Sequence, residues 1–315
     1  MRIYFCSDIH GSEICWRKFL AAPKFYTADV IIVGGDISGK FVVPIIRHPD
    51  GHATSEFMGV HRSVKAGAEL ETLRRRIADA GQYAFETSAE EYATYATAQD
   101  RIDALFRTLA VERVHDWLQL AEERLRGTAV RCFVRGGNDD FFEVDEALAT
   151  SSVVEDPNGK IIELDGAIEL LGVGYANPTP WNCPRDVSEA ELAQHIAALA
   201  DLIVDPTRAI FNLHVPPYGS GLDMAPRLDE QLRIVMTGHG PQMIPVGSTA
   251  VRDAILRYQP LLALHGHIHE SKGVQRLGRT VAVNPGSEYA EGVLDGALID
   301  LEPGKGVVGV QLVSG

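Results

Sequence analysis

Five short apolar runs in this chain stop abruptly at glycine, acid or imidazole: RIYFC before SDIHG, VIIV before GGD, RCFV before RGGNDD, AIFNL before HVPP, and LLAL before HGHIHE. Runs of four or five aliphatic, β-branched and aromatic residues have the length of a buried strand and are too short for a core helix. Helically spaced segments lie between them, at Ile14 to Leu20, Ser188 to Asp201 and Thr249 to Tyr258. Strand, polar loop, helix, strand is the rhythm of an α/β sheet, and in such sheets the residues that do chemistry stand at strand ends.

Two further segments complete the layout. KIIELDGAIELLGVGYA predicts a hairpin around Asp165-Gly166, and the last strands run from Gly296 onward. From Phe41 to Met58 the chain predicts two extended pieces around an Asp50-Gly51 turn. From about Val64 to Arg126 the spacing of Leu70, Leu73 and Ile77, then Ile102, Leu105, Phe106 and Leu109, then Val114, Trp117 and Leu118 predicts helices. No repeat, low-complexity tract or linker interrupts the 315 residues, so the expectation is a single domain, 1–315, with a helical insertion or cap at 41–128.

Charge narrows the partners. With 29 Lys and Arg against 43 Asp and Glu, the net charge of −14 argues against non-specific binding to nucleic acid or an anionic membrane. A phosphate-bearing substrate would therefore need a local source of positive charge. Cys6, Cys15, Cys132 and Cys183 show no CxxC spacing and make no disulfide framework. No signal-peptide core or long apolar span is present, and a cytoplasmic location is the expectation.

The strand ends carry Asp8 and His10, Asp36, Asn138, His214, and His267 with His269. Zn, Mn and Fe accept such a mixed imidazole and carboxylate set, whereas Mg or Ca favours oxygen alone. A single DxH or an isolated histidine is weak evidence, since most such histidines make structural hydrogen bonds. The ordered set is specific because each member closes a predicted strand. His48, His52, His61, His115 and His195 read as surface or structural.

In that order, DxH, GD, GN, a lone His and GHxH, the chain resembles the calcineurin-like metallophosphoesterase superfamily, over most of its length. The resemblance implies a four-layer αββα sandwich of two mixed sheets, with two divalent ions (Mn, Fe or Zn) at the strand ends. It implies that Asp8, His10, Asp36 and His269 hold the first ion and that Asp36, Asn138, His214 and His267 hold the second, with Asp36 bridging. The implied activity is hydrolysis of a small phosphate ester by in-line attack of a metal-bridging hydroxide.

One position departs from the pattern. The superfamily usually places a histidine after the GN asparagine, near the leaving group, and here that residue is Asp139. A carboxylate of ordinary pKa is ionised at neutral pH and repels phosphate. This favours a phosphodiesterase over a phosphomonoesterase or protein phosphatase, and assigns Asp139 to a substrate hydroxyl, a third cation or a nearby basic residue. His239 in TGHGPQ and His265 are candidate replacements for the missing acid. Gly34 to Lys40 matches GxxxxGK, but Phe41 stands where a nucleotide-binding loop needs Ser or Thr, so Lys40 is assigned to substrate binding instead. The insertion is a candidate surface for homo-oligomerisation. A reading of a different class is a non-catalytic metal-binding scaffold for protein–protein interaction.

Overall fold

The structure is a computed structural model that describes residues 1–95, 98–166 and 168–315. Two six-stranded mixed sheets form its centre. The first runs β20 (Gly306–Ser314), β19 (Asp295–Glu302), β1 (Arg2–Cys6), β2 (Val30–Val33), β7 (Arg131–Val134), β8 (Val154–Glu155). The second runs β17 (Gly273–Leu277), β18 (Thr280–Asn284), β16 (Leu262–Leu264), β11 (Ala209–Leu213), β10 (Glu169–Val173), β9 (Ile161–Glu163). Neighbours from β1 to β8 are parallel, as are those from β18 to β10, and antiparallel strands close every edge but that of β8.

Alternation along the strands builds the layers. Ile3, Phe5, Val30, Ile32 and Phe133 face Leu170, Ile210, Leu262, Leu264, Val281 and Val283 across the gap between the sheets. The intervening residues Tyr4, Cys6, Ile31, Val33, Cys132 and Val134 face outward onto α1 (Glu13–Tyr26), α4 (Gln99–Leu125) and α5 (Phe142–Leu148). On the far side Leu171, Val173, Phe211, Leu213 and Ala263 meet Leu192 and Ile196 of α6 (Glu189–Ala200) and Val251 and Ile255 of α7 (Thr249–Tyr258). Helix, sheet, sheet, helix is the four-layer order. No helix among the described residues is long and apolar enough to cross a membrane.

The segment 41–128 carries the expected helices, α2 (Ala68–Asp79), α3 (Ala89–Tyr95) and α4, and adds a four-stranded sheet in the order β5 (Val60–Lys65), β4 (His52–Phe57), β3 (Val42–Arg47), β6 (Tyr83–Ser88). Val43, Ile45, Ala53 and Phe57 pack on Leu70, Leu73 and Ile77 as a separate small core. The far half of α4 belongs to the main body instead: Trp117 stacks on Trp16 with ring centroids 4.8 Å apart, and the Trp16 indole donates to the Trp117 carbonyl at 3.1 Å.

The insertion touches the loop after β1 through backbone. Gly81, in the turn between α2 and β6, has φ +78, and a Cβ there would stand 2.2 Å from the His10 carbonyl oxygen. Gly11 and Gly39 close the same contact, where a Cβ on Gly39 would lie 2.3 Å from the Gly81 carbonyl oxygen. Ser12 Oγ donates to the Asp79 carbonyl at 2.6 Å, and Gly39 N–H donates to the Tyr83 hydroxyl at 2.7 Å.

Candidate metal centre

The parallel pairing of β1 with β2 continues past the strand ends. Asp8 N–H donates to the Gly35 carbonyl at 2.9 Å, His10 N–H to that of Asp36 at 3.0 Å, and Gly11 N–H to that of Ile37 at 2.7 Å. The two loops therefore run locked together, with the side chains of Asp8, His10 and Asp36 held on them. Asp8, His10, Asp36 and His267 all have positive φ, +56, +38, +51 and +66. Left-handed backbone is strained for residues other than glycine, and four of the expected ligands adopt it.

The side chains converge in adjoining groups whose ligand atoms lie within 4.8 Å of one another: Asp8, His10 and His269 in one, Asp36, His214 and His267 in the next. Asp36 faces both. Its Oδ1 is 3.3 Å from His214 Nε2 and its Oδ2 is 3.8 Å from His10 Nε2. His269 Nε2 is 3.4 Å from Asp8 Oδ1 and 3.1 Å from His10 Nε2.

The donor set fits cations. His214 Nδ1 faces the Gly34 carbonyl at 3.1 Å and His10 Nδ1 faces that of Ser38 at 3.3 Å. A carbonyl only accepts, so both Nδ1 atoms carry the proton and both Nε2 atoms present lone pairs. A buried lone pair against a carboxylate oxygen is repulsive unless a proton or a cation lies between them. Asn138 Oδ1, which cannot be charged by a proton at neutral pH, is buried without a donor, as is His214 Nε2. Its amide is oriented from behind, Nδ2 donating to Asp186 Oδ1 at 2.9 Å.

No family model matches the chain. An uncharacterised protein of Methanocaldococcus jannaschii is 30% identical over 152 residues, which are 47% of this chain and 61% of that protein, so the match spans under two thirds of the relative. A crystal structure from Thermus thermophilus superposes with a TM-score of 0.55 at 16% identity, covering 100% of this chain and 97% of that one. A further crystal structure superposes with a TM-score of 0.60 at 17% identity, covering 99% and 98%. Likeness at this identity is likeness of fold, and it runs end to end. The fold shared with them is a four-layer sandwich of two mixed sheets between helices.

Within this fold, Asp139 meets neither histidine offered as its replacement. His239 lies at the exposed tip of a projecting ribbon, between β13 (Met236–Thr237) and β14 (Gly240–Pro241), and is absent from the ligand groups. A second ribbon, β12 (Met224–Pro226) with β15 (Met243–Pro245), forms its base. His265 is fully buried, with Nδ1 2.8 Å from the Leu213 carbonyl, and burial pushes its pKa down to about 4. It is a neutral core histidine. Lys40 does reach the site: its Nζ is 2.9 Å from Asp139 Oδ2.

Electrostatics separate the two carboxylates. Burial raises the Asp36 carboxyl to about 6, against the opposing pull of His214. Burial also disfavours Asp8 as an anion, but His269, His214 and His10 outweigh it and hold that carboxyl well below the usual range. Burial takes His267 down to about 3, leaving it neutral and able to ligate. Because the folded Asp36 value exceeds its unfolded value near 3.9, the metal-free fold takes up a proton as pH falls through about 6 and gains stability there. The same group costs stability as pH rises through that window. A cation needs the carboxylate, so metal affinity is expected to fall below about pH 6. Chelator competition across roughly pH 5 to 7.5 checks this window; a flat affinity would mean an Asp36 ionised throughout.

The spacing of motifs did not reveal what holds the loops. Asp140, wholly buried, accepts from Ile37 N–H at 3.0 Å, Ser38 N–H at 2.7 Å and Gly137 N–H at 2.7 Å, tying the GGD loop to the GGN loop. The doubled acid in GGNDD was its only signal. An Asp140→Asn change turns one acceptor oxygen into a donor facing an N–H. It is expected to cost about 1–3 kcal/mol of stability and roughly 10- to 100-fold in metal affinity, read from urea midpoints and metal titration. Asp186, which accepts from Asn138 and Thr179, and Cys183 beside Asp139 had no signal at all.

Proposed function

We propose that this protein is a metal-dependent phosphoesterase that hydrolyses a small phosphate ester, with diesters favoured, at a centre of two divalent cations. The observation that carries the reading is Asp36, whose two oxygens face imidazoles of two adjoining ligand groups. Asp8, His10, Asp36 and His269 would hold one cation, and Asp36, Asn138, His214 and His267 the other. Bound there, paired cations supply the Lewis acidity that activates water and neutralises phosphoryl charge. The chain's own residues fix the geometry: backbone pairing of the two loops holds Asp8, His10 and Asp36, and the Gly34 and Ser38 carbonyls orient two imidazoles. Two carboxylates against four imidazoles and an amide leave two divalent cations a net positive charge, which supplies the attraction for phosphate that the −14 chain lacks.

The reading extends to a cytoplasmic protein with no membrane or non-specific nucleic-acid partner, and to self-association through the 41–128 insertion. The test is parallel hydrolysis of chromogenic phosphodiesters and monoesters after loading with Mn, Fe(II) or Zn, with metal counted per chain. Turnover that chelator abolishes and metal restores is the expected result. Two ions per chain with no turnover of any ester would favour the scaffold reading instead.

A further inference from the structure

Each oxygen of the Asp139 carboxylate has a side-chain partner, and the carboxylate shares a third ligand group with His10 and Asp36. Its Oδ2 pairs with Lys40, its Oδ1 accepts from the Cys183 thiol at 2.7 Å, and its backbone N–H donates to Asp36 Oδ1 at 3.0 Å. An ionised carboxylate has no proton for a leaving group. What it does hold is an ammonium. A free lysine stem loses rotamer entropy on being fixed; here Asp139 fixes it before any substrate arrives.

Lys40 uses one of its three donors on Asp139 and makes no other side-chain hydrogen bond among the described residues. Its side chain is 36% exposed, so substrate can reach the head group, while its charge is felt at His10, His269 and Tyr289 beside the ligand cluster. A cationic donor therefore stands beside the ligand cluster, paired with the residue that occupies the position where the metallophosphoesterase pattern has a histidine.

We propose that Lys40 is a catalytic residue that hydrogen-bonds the leaving-group oxygen of the phosphate ester, with Asp139 and Cys183 as its positioning residues. The proposal rests on the phosphoesterase reading. In the step it serves, a water oxygen forms the new bond to phosphorus, the ester P–O bond breaks, and the electron pair of that bond goes to the departing oxygen. Lys40 stabilises that anion by a charge-assisted hydrogen bond and keeps its own proton; the water's proton passes to solvent, and the released anion takes one from solvent. Asp139 outweighs burial and holds the ammonium above its ordinary range, which agrees with a donor that stays charged. The substrates best served are esters whose leaving oxygen departs as a stabilised anion, aryl or phosphoryl, ahead of simple alkyl esters.

A series of aryl phosphodiesters with phenols of rising pKa tests this on wild type, Lys40→Met, Lys40→Arg and Asp139→Asn, each assayed for bound metal. Lys40→Met is expected to lose about 10- to 100-fold in kcat, the worth of a hydrogen bond to charge, with a loss that grows as the phenol becomes a poorer leaving group. Lys40→Arg keeps the wild-type slope and most of the rate. Asp139→Asn falls between, since the ammonium survives but loses its clamp. Calorimetry should show inorganic phosphate binding about tenfold more weakly to metal-loaded Lys40→Met than to wild type. Parallel lines for wild type and Lys40→Met, with equal phosphate affinity, would overturn the role of Lys40 while leaving the phosphoesterase reading intact. Wild type that binds metal yet cleaves no ester would overturn both.

Discussion

Asp36→Asn is expected to abolish ester hydrolysis and to reduce the metal bound per chain from two ions to one or none. Its two carboxylate oxygens face His214 and His10, imidazoles of different ligand groups, at 3.3 and 3.8 Å. Asparagine keeps one acceptor oxygen and sets an NH2 donor against the other imidazole. It also removes one of the two negative charges that the cluster offers a cation. Loss of a partner behind the ligands costs roughly 10- to 100-fold in affinity or activity, and loss of a ligand shared by two ions should exceed that. Metal analysis by mass spectrometry and initial rates on the best ester check it. An Asp36→Asn protein with two ions and wild-type turnover would refute Asp36 as the ligand the two ions share.

Gly137→Ala should be nearly as damaging, with no charge changed. A Cβ at Gly137 would stand 2.2 Å from Asp36 Oδ1, 2.5 Å from Asp36 N and 2.8 Å from His214 Cε1. A backbone nitrogen in the loop pinned by Asp140 cannot swing aside as a surface side chain would, so the two loops must part. Overpacking of this kind typically costs about 1–3 kcal/mol, and here the displaced atoms are the ligands themselves. The expected result is a folded protein with a lowered Tm and metal affinity weakened by at least the roughly tenfold lower bound for a disturbed ligand shell. Gly238→Ala, where a Cβ meets open space, is the control and should leave both unchanged. Equal metal affinity in Gly137→Ala and wild type would show that the loops have slack.

The central strands were readable because both their faces are buried. Val30–Val33 and Ala209–Leu213 sit between a helical layer and the opposing sheet, so nearly every residue is apolar and the run stands out from its surroundings. The clustering acids and imidazoles were readable for a related reason, since a polar residue at the end of such a run has no packing role to explain it. In the insertion's sheet only the two strands around the Asp50-Gly51 turn were readable, and the outer two were not. Tyr83–Ser88 buries only part of one face and lies among alanine- and glutamate-rich helices, while Val60–Lys65 is mostly exposed, so neither shows the contrast that marks a strand. His239 misled because a histidine flanked by glycines looks the same at the tip of a ribbon as beside a metal. The bond from Asp139 to Lys40 joins residues far apart in the chain, and sequence named both without a means of connecting them.

The contact of Gly11, Gly39 and Gly81 has an evolutionary consequence. Three main chains pressed together leave no side chain to trim, so the joint admits no gradual loosening. Descendants of this chain can redecorate the outer surface of the inserted sheet or alter its hairpin lengths at little penalty, yet the bend at Gly81 must persist for as long as the loop bearing His10 keeps its shape. Divergence should accumulate on the far side of the appendage and stop at that seam, even where everything around it has been rewritten.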